Sequence, residues 1–208
     1  MSNENNKTLY KKLKVILLGE SGVGKSSIIF KYVKDSFVEG MQPTIGSTYM
    51  QKKIIRDNIT YILNIWDTSG TEKYHSITKL FLQNANIVIL VYSIDDKLSL
   101  KGIDYWYNEV SDMLGNNFVL SIVGNKCDLF DQEEIDAISE EEGEKIAKEK
   151  NAIFKLISAK KDKKGIDTLF EQLLDEYLII NAKNDNLNQS CMTNNIGIDI
   201  VKKRKKCC

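Results

Sequence analysis

Apolar positions along this chain fall into short runs separated by stretches of helical period, an alternation that predicts βαβ units around a mainly parallel sheet. Strands are expected at Leu13–Leu18, Ser47–Arg56, Ile59–Trp66, Ile87–Tyr92, Phe118–Val123 and Ile153–Ile157. Helices are expected at Lys25–Lys34, Leu98–Leu114, Glu140–Lys150 and Ile166–Ile180. Asp57-Asn58 lies between two β-rich runs and reads as a two-residue hairpin turn, so one antiparallel pair should interrupt the parallel order. From Asn181 to Asn195 no period persists and Asn dominates, which reads as a flexible linker. The chain is therefore divided into a polar lead at 1–12, a folded α/β domain at 13–181 and a flexible tail at 182–208.

Composition narrows the picture. The 208 residues are 42% hydrophobic, enough for one domain with its own core. Lys plus Arg and Asp plus Glu balance at 29 each, yet five of the cations are Lys202, Lys203, Arg204, Lys205 and Lys206. The remaining body is mildly acidic, which argues against nucleic acid as a partner, while the basic tip suits anionic lipid. The four cysteines, Cys127, Cys191, Cys207 and Cys208, have neither the density nor the spacing of a disulfide framework or a zinc site, so a reducing cytosol fits. No signal-peptide stretch opens the chain and no run reaches the ~18 apolar residues of a spanning helix, so membrane contact would need an anchor.

Four strand ends carry candidate chemistry. Gly19-Glu-Ser-Gly-Val-Gly24-Lys25-Ser26 fits G-x-x-x-x-G-K-[ST] between a strand and a helix. Its glycines let several N–H groups converge on phosphate oxygens, the helix dipole assists, Lys25 reaches the β- and γ-phosphates, and Ser26 coordinates Mg²⁺. Asn125-Lys126-Cys127-Asp128 follows the fifth strand. The Asp128 carboxylate can accept from N1–H and N2–H₂ of guanine together, which adenine cannot offer, so an ATP-using kinase or ATPase is disfavoured. Ser158-Ala159-Lys160 closes the next strand and could present backbone N–H groups to guanine O6. Trp66-Asp67-Thr68-Ser69-Gly70 places Asp67 to meet Mg²⁺ through water and the Gly70 N–H to meet the γ-phosphate.

The stretches GESGVGKSS at 19–27, TIGSTY at 44–49, ILNIWDTSG at 62–70, KYHSIT at 73–78, LVYSIDD at 90–96, GNKCDL at 124–129 and SAK at 158–160 together resemble the Ras superfamily of small GTPases, and within it the Rab family. The resemblance implies a P-loop NTPase fold with a six-stranded, mostly parallel sheet flanked by about five helices. It implies nucleotide contacts from Ser21, Gly22, Val23, Gly24, Lys25, Ser26 and Ser27, with Phe37 packing on guanine. Asn125, Lys126, Asp128, Ser158, Ala159 and Lys160 would complete the nucleotide site. Thr44 would lie in a first switch and coordinate Mg²⁺ only with GTP bound. Tyr49, Trp66 and Phe81 look like the aromatic trio through which Rab effectors sense nucleotide state, although for Trp66 plain packing is an equal reading.

Such a protein would hydrolyse GTP to GDP and phosphate slowly. It would regulate vesicle trafficking through effectors, an exchange factor, an activating protein, and prenyl-transfer and membrane-extraction chaperones. The terminal Cys207-Cys208 resembles the Rab pattern that receives two geranylgeranyl groups, and two lipids beside a basic cluster make a stable anchor where one does not. A cytosolic pool and the cytoplasmic face of an intracellular membrane follow, with endosomes suggested by GESGVGKSS and KYHS. The chain departs from the family where Gly70 is followed by Thr71 instead of a water-orienting Gln. Catalysis would rest on Lys25, Thr44, Gly70 and this atypical Thr71, and a GTP-locked recruitment platform is the alternative. His75 reads more readily as a surface or packing residue than as a general base.

Overall fold

The computed structural model describes residues 9–44, 46–69, 80–115, 117–130 and 136–194. In chain order the elements are β1 (Leu9–Leu18), α1 (Lys25–Lys34), β2 (Ser47–Arg56), β3 (Ile59–Thr68), β4 (Ile87–Ser93), α2 (Lys97–Leu114), β5 (Val119–Asn125), a 3₁₀ turn (Cys127–Leu129), α3 (Glu140–Glu149), β6 (Ile153–Leu156) and α4 (Lys163–Asn194). Residues 80–82 are also helical, a fifth helical segment among those described. The six strands lie in the order β2-β3-β1-β4-β5-β6. All neighbours are parallel except β2 and β3, as the Asp57-Asn58 turn requires. Both turn residues adopt positive φ, 49° and 61°, the twist that joins antiparallel strands through two residues.

β4 and β5 are apolar on both faces because helices cover both sides, and every residue of each is buried. One cluster, centred on Leu13, Val15, Leu17, Leu63 and Ile65, packs against α1 and α4, where Tyr32 stacks on Phe170 at 3.7 Å. The other, built on Ile16, Leu18, Leu90 and Tyr92, packs against Ile103, Trp106 and Val110 of α2 and Ala147 of α3. Asp96 caps α2 by accepting from the N–H groups of Leu98 and Ser99, and Ser139 and Glu142 form a reciprocal capping box on α3.

Two boundaries differ from the sequence expectation by four residues or more. Leu9–Lys12 extend β1, because backbone pairing with Ile59–Ile62 of β3 holds a segment whose lysines read as polar lead. The last helix runs on to Asn194 rather than ending near Ile180. No Gly or Pro lies between Ile166 and Asn194, and propagating a formed helix costs far less than nucleating one. The expected linker over 181–194 is therefore helical in backbone.

Tyr92 sits wholly buried with its hydroxyl lacking a hydrogen-bond partner among the described residues. Only glycines leave it room: a Cβ at Gly124 or Gly143 would stand 2.6 or 2.3 Å from that oxygen. Since a buried unpaired hydroxyl carries its full desolvation cost, Tyr92→Phe is expected to raise stability by ~1 kcal/mol in urea denaturation. A loss of similar size would show that the hydroxyl is satisfied.

Candidate nucleotide site

The site lies outside the carboxyl ends of β1 and β4, where the sheet's connections reverse direction, the crevice in which open α/β sheets hold ligands. Gly19 leaves β1 at φ 140°, so close to β4 that a Cβ there would stand 2.1 Å from the Val91 carbonyl oxygen. Gly22 and Gly24 also take positive φ, 80° and 95°, which wraps the loop over the start of α1. That helix begins without a side-chain cap and without an acidic residue in its first turn. Its first N–H groups thus face the cleft unspent, a ready anion site.

Lys25 is buried, and its Nζ donates to the Gly19 and Glu20 carbonyls at 2.7 Å each. Burial pulls its pKa down to about 8, against the opposing pull of Asp67 and Glu20. In the nucleotide-free protein the amine is therefore charged below pH 8 and neutral above it. Phosphate favours the charged form, so binding takes up a proton once pH exceeds that value. Nucleotide affinity is expected to hold below pH ~8 and to fall above it by up to ~10-fold per unit, measurable by titration across pH 7 to 10. A flat profile would contradict this assignment.

Beside Lys25 three elements converge on one carboxylate. Ser26 Oγ of α1 donates to Asp67 Oδ2 at 2.6 Å, and Thr44 Oγ1 donates to the same oxygen at 3.1 Å. Ser26 and Thr44 are themselves 2.9 Å apart, and Thr48 Oγ1 reaches Asp67 Oδ2 at 3.4 Å. The other oxygen, Oδ1, is buried without a partner among the described residues. Burial pushes the Asp67 carboxyl up, while these hydroxyls and Lys25 pull it down. Hard oxygen donors gathered on one carboxylate whose second oxygen has no partner among the described residues, next to a phosphate loop, fit Mg²⁺, which takes a carboxylate and completes its shell with water and phosphate. Among the described residues no cluster of three or more His, Cys, Asp or Glu competes for that role.

The base-side residues are tied together by Asn125. Its Nδ2 donates to the Val23 carbonyl at 2.8 Å, and its Oδ1 accepts from the Ala159 N–H at 3.0 Å. One carboxamide thus joins the phosphate loop, β5 and the turn after β6. The segment Ser158-Ala159-Lys160 is expected to offer backbone N–H groups to guanine O6; of these the Ala159 N–H donates here to Asn125 Oδ1, a buried acceptor that needs a donor. Lys126 takes φ 67°, and Asp128 follows in the 3₁₀ turn, its Oδ1 accepting from Ser158 Oγ at 2.5 Å. Phe37 lines the cleft with Ser21, Ser27 and Thr44 while packing on the α1-side core. Cys127, between the two, has its thiol pushed up by burial and nearby carboxylates.

Several functional neighbours escaped sequence reasoning. Thr48 joins Asp67, Glu20 accepts from the Trp106 indole at 3.3 Å, and Asp95 pairs with Lys126 at 3.3 Å. Glu39 meets Lys160 at 3.1 Å across the mouth of the cleft. Thr48 lies inside TIGSTY, Glu20 inside GESGVGKSS and Asp95 inside LVYSIDD, whereas Glu39 lies in none of the family-like stretches. Tyr49, Trp66 and Phe81 form one aromatic group, with centroids 5.2 and 5.3 Å apart, and Trp66 is only half-buried. Gly70, Thr71, His75, Cys207 and Cys208 lie outside the described residues.

The Ras family model matches residues 14–179. The chain belongs to the Ras family. Its relatives are Rab small GTPases and their yeast counterparts. It is 34% identical to Ras-related protein RABF2a of Arabidopsis thaliana, over 82% of this chain and 83% of that one. It is 37% identical to human Ras-related protein Rab-22A, over 72% and 76% of the two chains. With GTP-binding protein ypt5 of Schizosaccharomyces pombe it shares 33% identity over 92% and 88%. This chain is thus a Rab-type small GTPase whose loops meet at one cleft.

Proposed function

We propose that this Rab-type chain binds GTP and GDP with Mg²⁺, hydrolyses GTP slowly, and recruits effectors at the cytoplasmic face of an endosomal membrane to regulate vesicle traffic. The observation that carries the reading is the meeting of Ser26 and Thr44 on one oxygen of Asp67, whose other oxygen has no partner among the described residues, beside an uncapped helix start and a buried lysine. Mg²⁺, when bound, neutralises charge shared by the β- and γ-phosphates. The protein's own work is positional. The loop N–H groups and α1 hold the phosphates, and Lys25 gives up two carbonyls to pair with the charge that grows on the phosphoryl oxygens. Thr44, on the loop before β2, links the γ-phosphate end of the cleft to β2 and the Tyr49–Trp66–Phe81 group, so a change there reaches an effector surface. Guanine would be read by Asp128, with Phe37 against its face, and Cys207 and Cys208 would carry the lipid anchor.

Thr71 favours a second reading, a GTP-locked platform, because its hydroxyl stands on a much shorter side chain than a Gln amide. Intrinsic hydrolysis is expected below the ~10⁻⁴ s⁻¹ of Ras-type switches, and Thr71→Gln should raise it in a single-turnover assay. Equal rates would sink that expectation. For the primary reading, fluorescent GDP should be displaced by GTP but not by ATP, and chelating Mg²⁺ should speed its release. Displacement by ATP would overturn the guanine assignment. The amount of GTP and GDP on protein purified with and without an activating protein separates a cycling switch from a locked one.

A further inference from the structure

The half of the sheet farthest from the nucleotide cleft has one face that no described helix covers. The pairing register sets residues of β2, β3 and β1 side by side there: Ile55, Thr60 and Tyr10 form the outermost row, and Lys53, Ile62 and Lys12 the next. The contact of Tyr49 with Trp66 farther along the same face confirms which side these residues share. Helices α1 and α4 back the opposite face, and on this one α2 and α3 pack over β4, β5, β6 and the Ile16–Leu18 end of β1, away from Tyr10 and Lys12. Ile55 is 73% exposed and Tyr10 60%. On this face the three strands present Lys12, Lys14 and Lys53 and no carboxylate. Neither Lys12 nor Lys53 has an ion-pair partner among the described residues.

We infer that this face docks an amphipathic helix of a partner protein, one whose apolar stripe is flanked on both sides by Asp or Glu. The dimensions agree. Strands β2 and β1 lie two inter-strand spacings apart, about 10 Å, which is the diameter of one helix. Successive rows are about 6.8 Å apart, close to the ~6 Å between residues i and i+4 of a helix. A helix laid along β3 would seat its stripe on Ile62, Ile55 and Tyr10 while acids on its flanks reached Lys53 on one side and Lys12 on the other. Isolated exposed apolar residues are ordinary; Ile55, Tyr10 and Ile62 bracketed by two lysines with no ion-pair partner among the described residues, on a sheet face that no described helix covers, are a built surface. Tyr10 and Thr60 begin their strands, roughly 25 Å from the carboxyl ends that hold the cleft, so docking is indifferent to the bound nucleotide.

The test uses amide NMR on the full chain, loaded with GDP and then with a non-hydrolysable GTP analogue. The probe is a helical peptide of about five turns with a leucine stripe flanked by glutamates; a second peptide has lysines in their place. The glutamate peptide should shift Lys12, Lys53, Ile55 and Ile62 equally in both states. Ile55→Asp and Lys53→Glu, both exposed, should weaken it at least ~10-fold with unchanged nucleotide release. The inference is overturned if that peptide does not bind, if it binds only the GTP form or only the aromatic group, or if the lysine peptide binds as well. It is also overturned if phosphatidylserine vesicles shift these residues and the peptide does not.

Discussion

Gly19→Ala is expected to cost ~4 kcal/mol or more and to lower the melting temperature by roughly 8–16 °C. Two penalties coincide at this residue. Its φ of 140° is one that a side chain rarely adopts, and the added Cβ would sit 2.1 Å from a backbone oxygen of β4. Backbone in a central buried strand cannot step aside as a flexible side chain could. Gly22→Ala is the control: φ is 80°, but nothing stands within 4 Å of the new carbon, so the expected cost is only ~1 kcal/mol. Equal losses in the two variants, measured by urea denaturation, would mean that conformational strain and not the approach to Val91 governs the loop.

Asn125→Ala should do the most damage to binding. It leaves the Val23 carbonyl and the Ala159 N–H buried without their partner, each worth ~1–3 kcal/mol, and it unties the phosphate loop from the turn after β6. Stability is expected to drop by ~2–4 kcal/mol and guanine-nucleotide affinity by ~100-fold or more, since a loosened loop on each side of the ligand loses its pre-organisation. Asn125→Asp keeps an acceptor for Ala159 but turns a second oxygen on the Val23 carbonyl, so it should rescue little. Hydrogen exchange at the Ala159 amide reads the tie directly. Slow exchange in the alanine variant would show that some other group holds this corner.

The sequence was most informative where one physical cause dominates. β4 and β5 are continuous apolar runs because both faces are covered, and Asp57-Asn58 could only be a turn. The loop from Gly19 to Ser26 was legible because its glycines take positive φ, a backbone demand that shows in the sequence, whereas the close approach of Gly19 to Val91 does not. Less visible were features set by partners far along the chain. Lys11 and Lys12 read as solvent-facing lead, and only their pairing with β3 makes them strand. Asn125 was legible as a nucleotide residue but not as the tie between Val23 and Ala159, residues 102 and 34 positions away. The helix to Asn194 was missed because an Asn-rich composition outweighed the lack of any breaker.

The positions of the two tryptophans, the only ones in the chain, give the molecule an optical property. Trp106 is 1% exposed and its indole donates to Glu20 of the phosphate loop, so its emission should be blue and sensitive to that loop. Trp66 is half-buried between Tyr49 and Phe81 and should emit to the red of it. Native fluorescence therefore carries two spectrally separable signals, one from the cleft and one from the aromatic surface, in a chain that needs no dye.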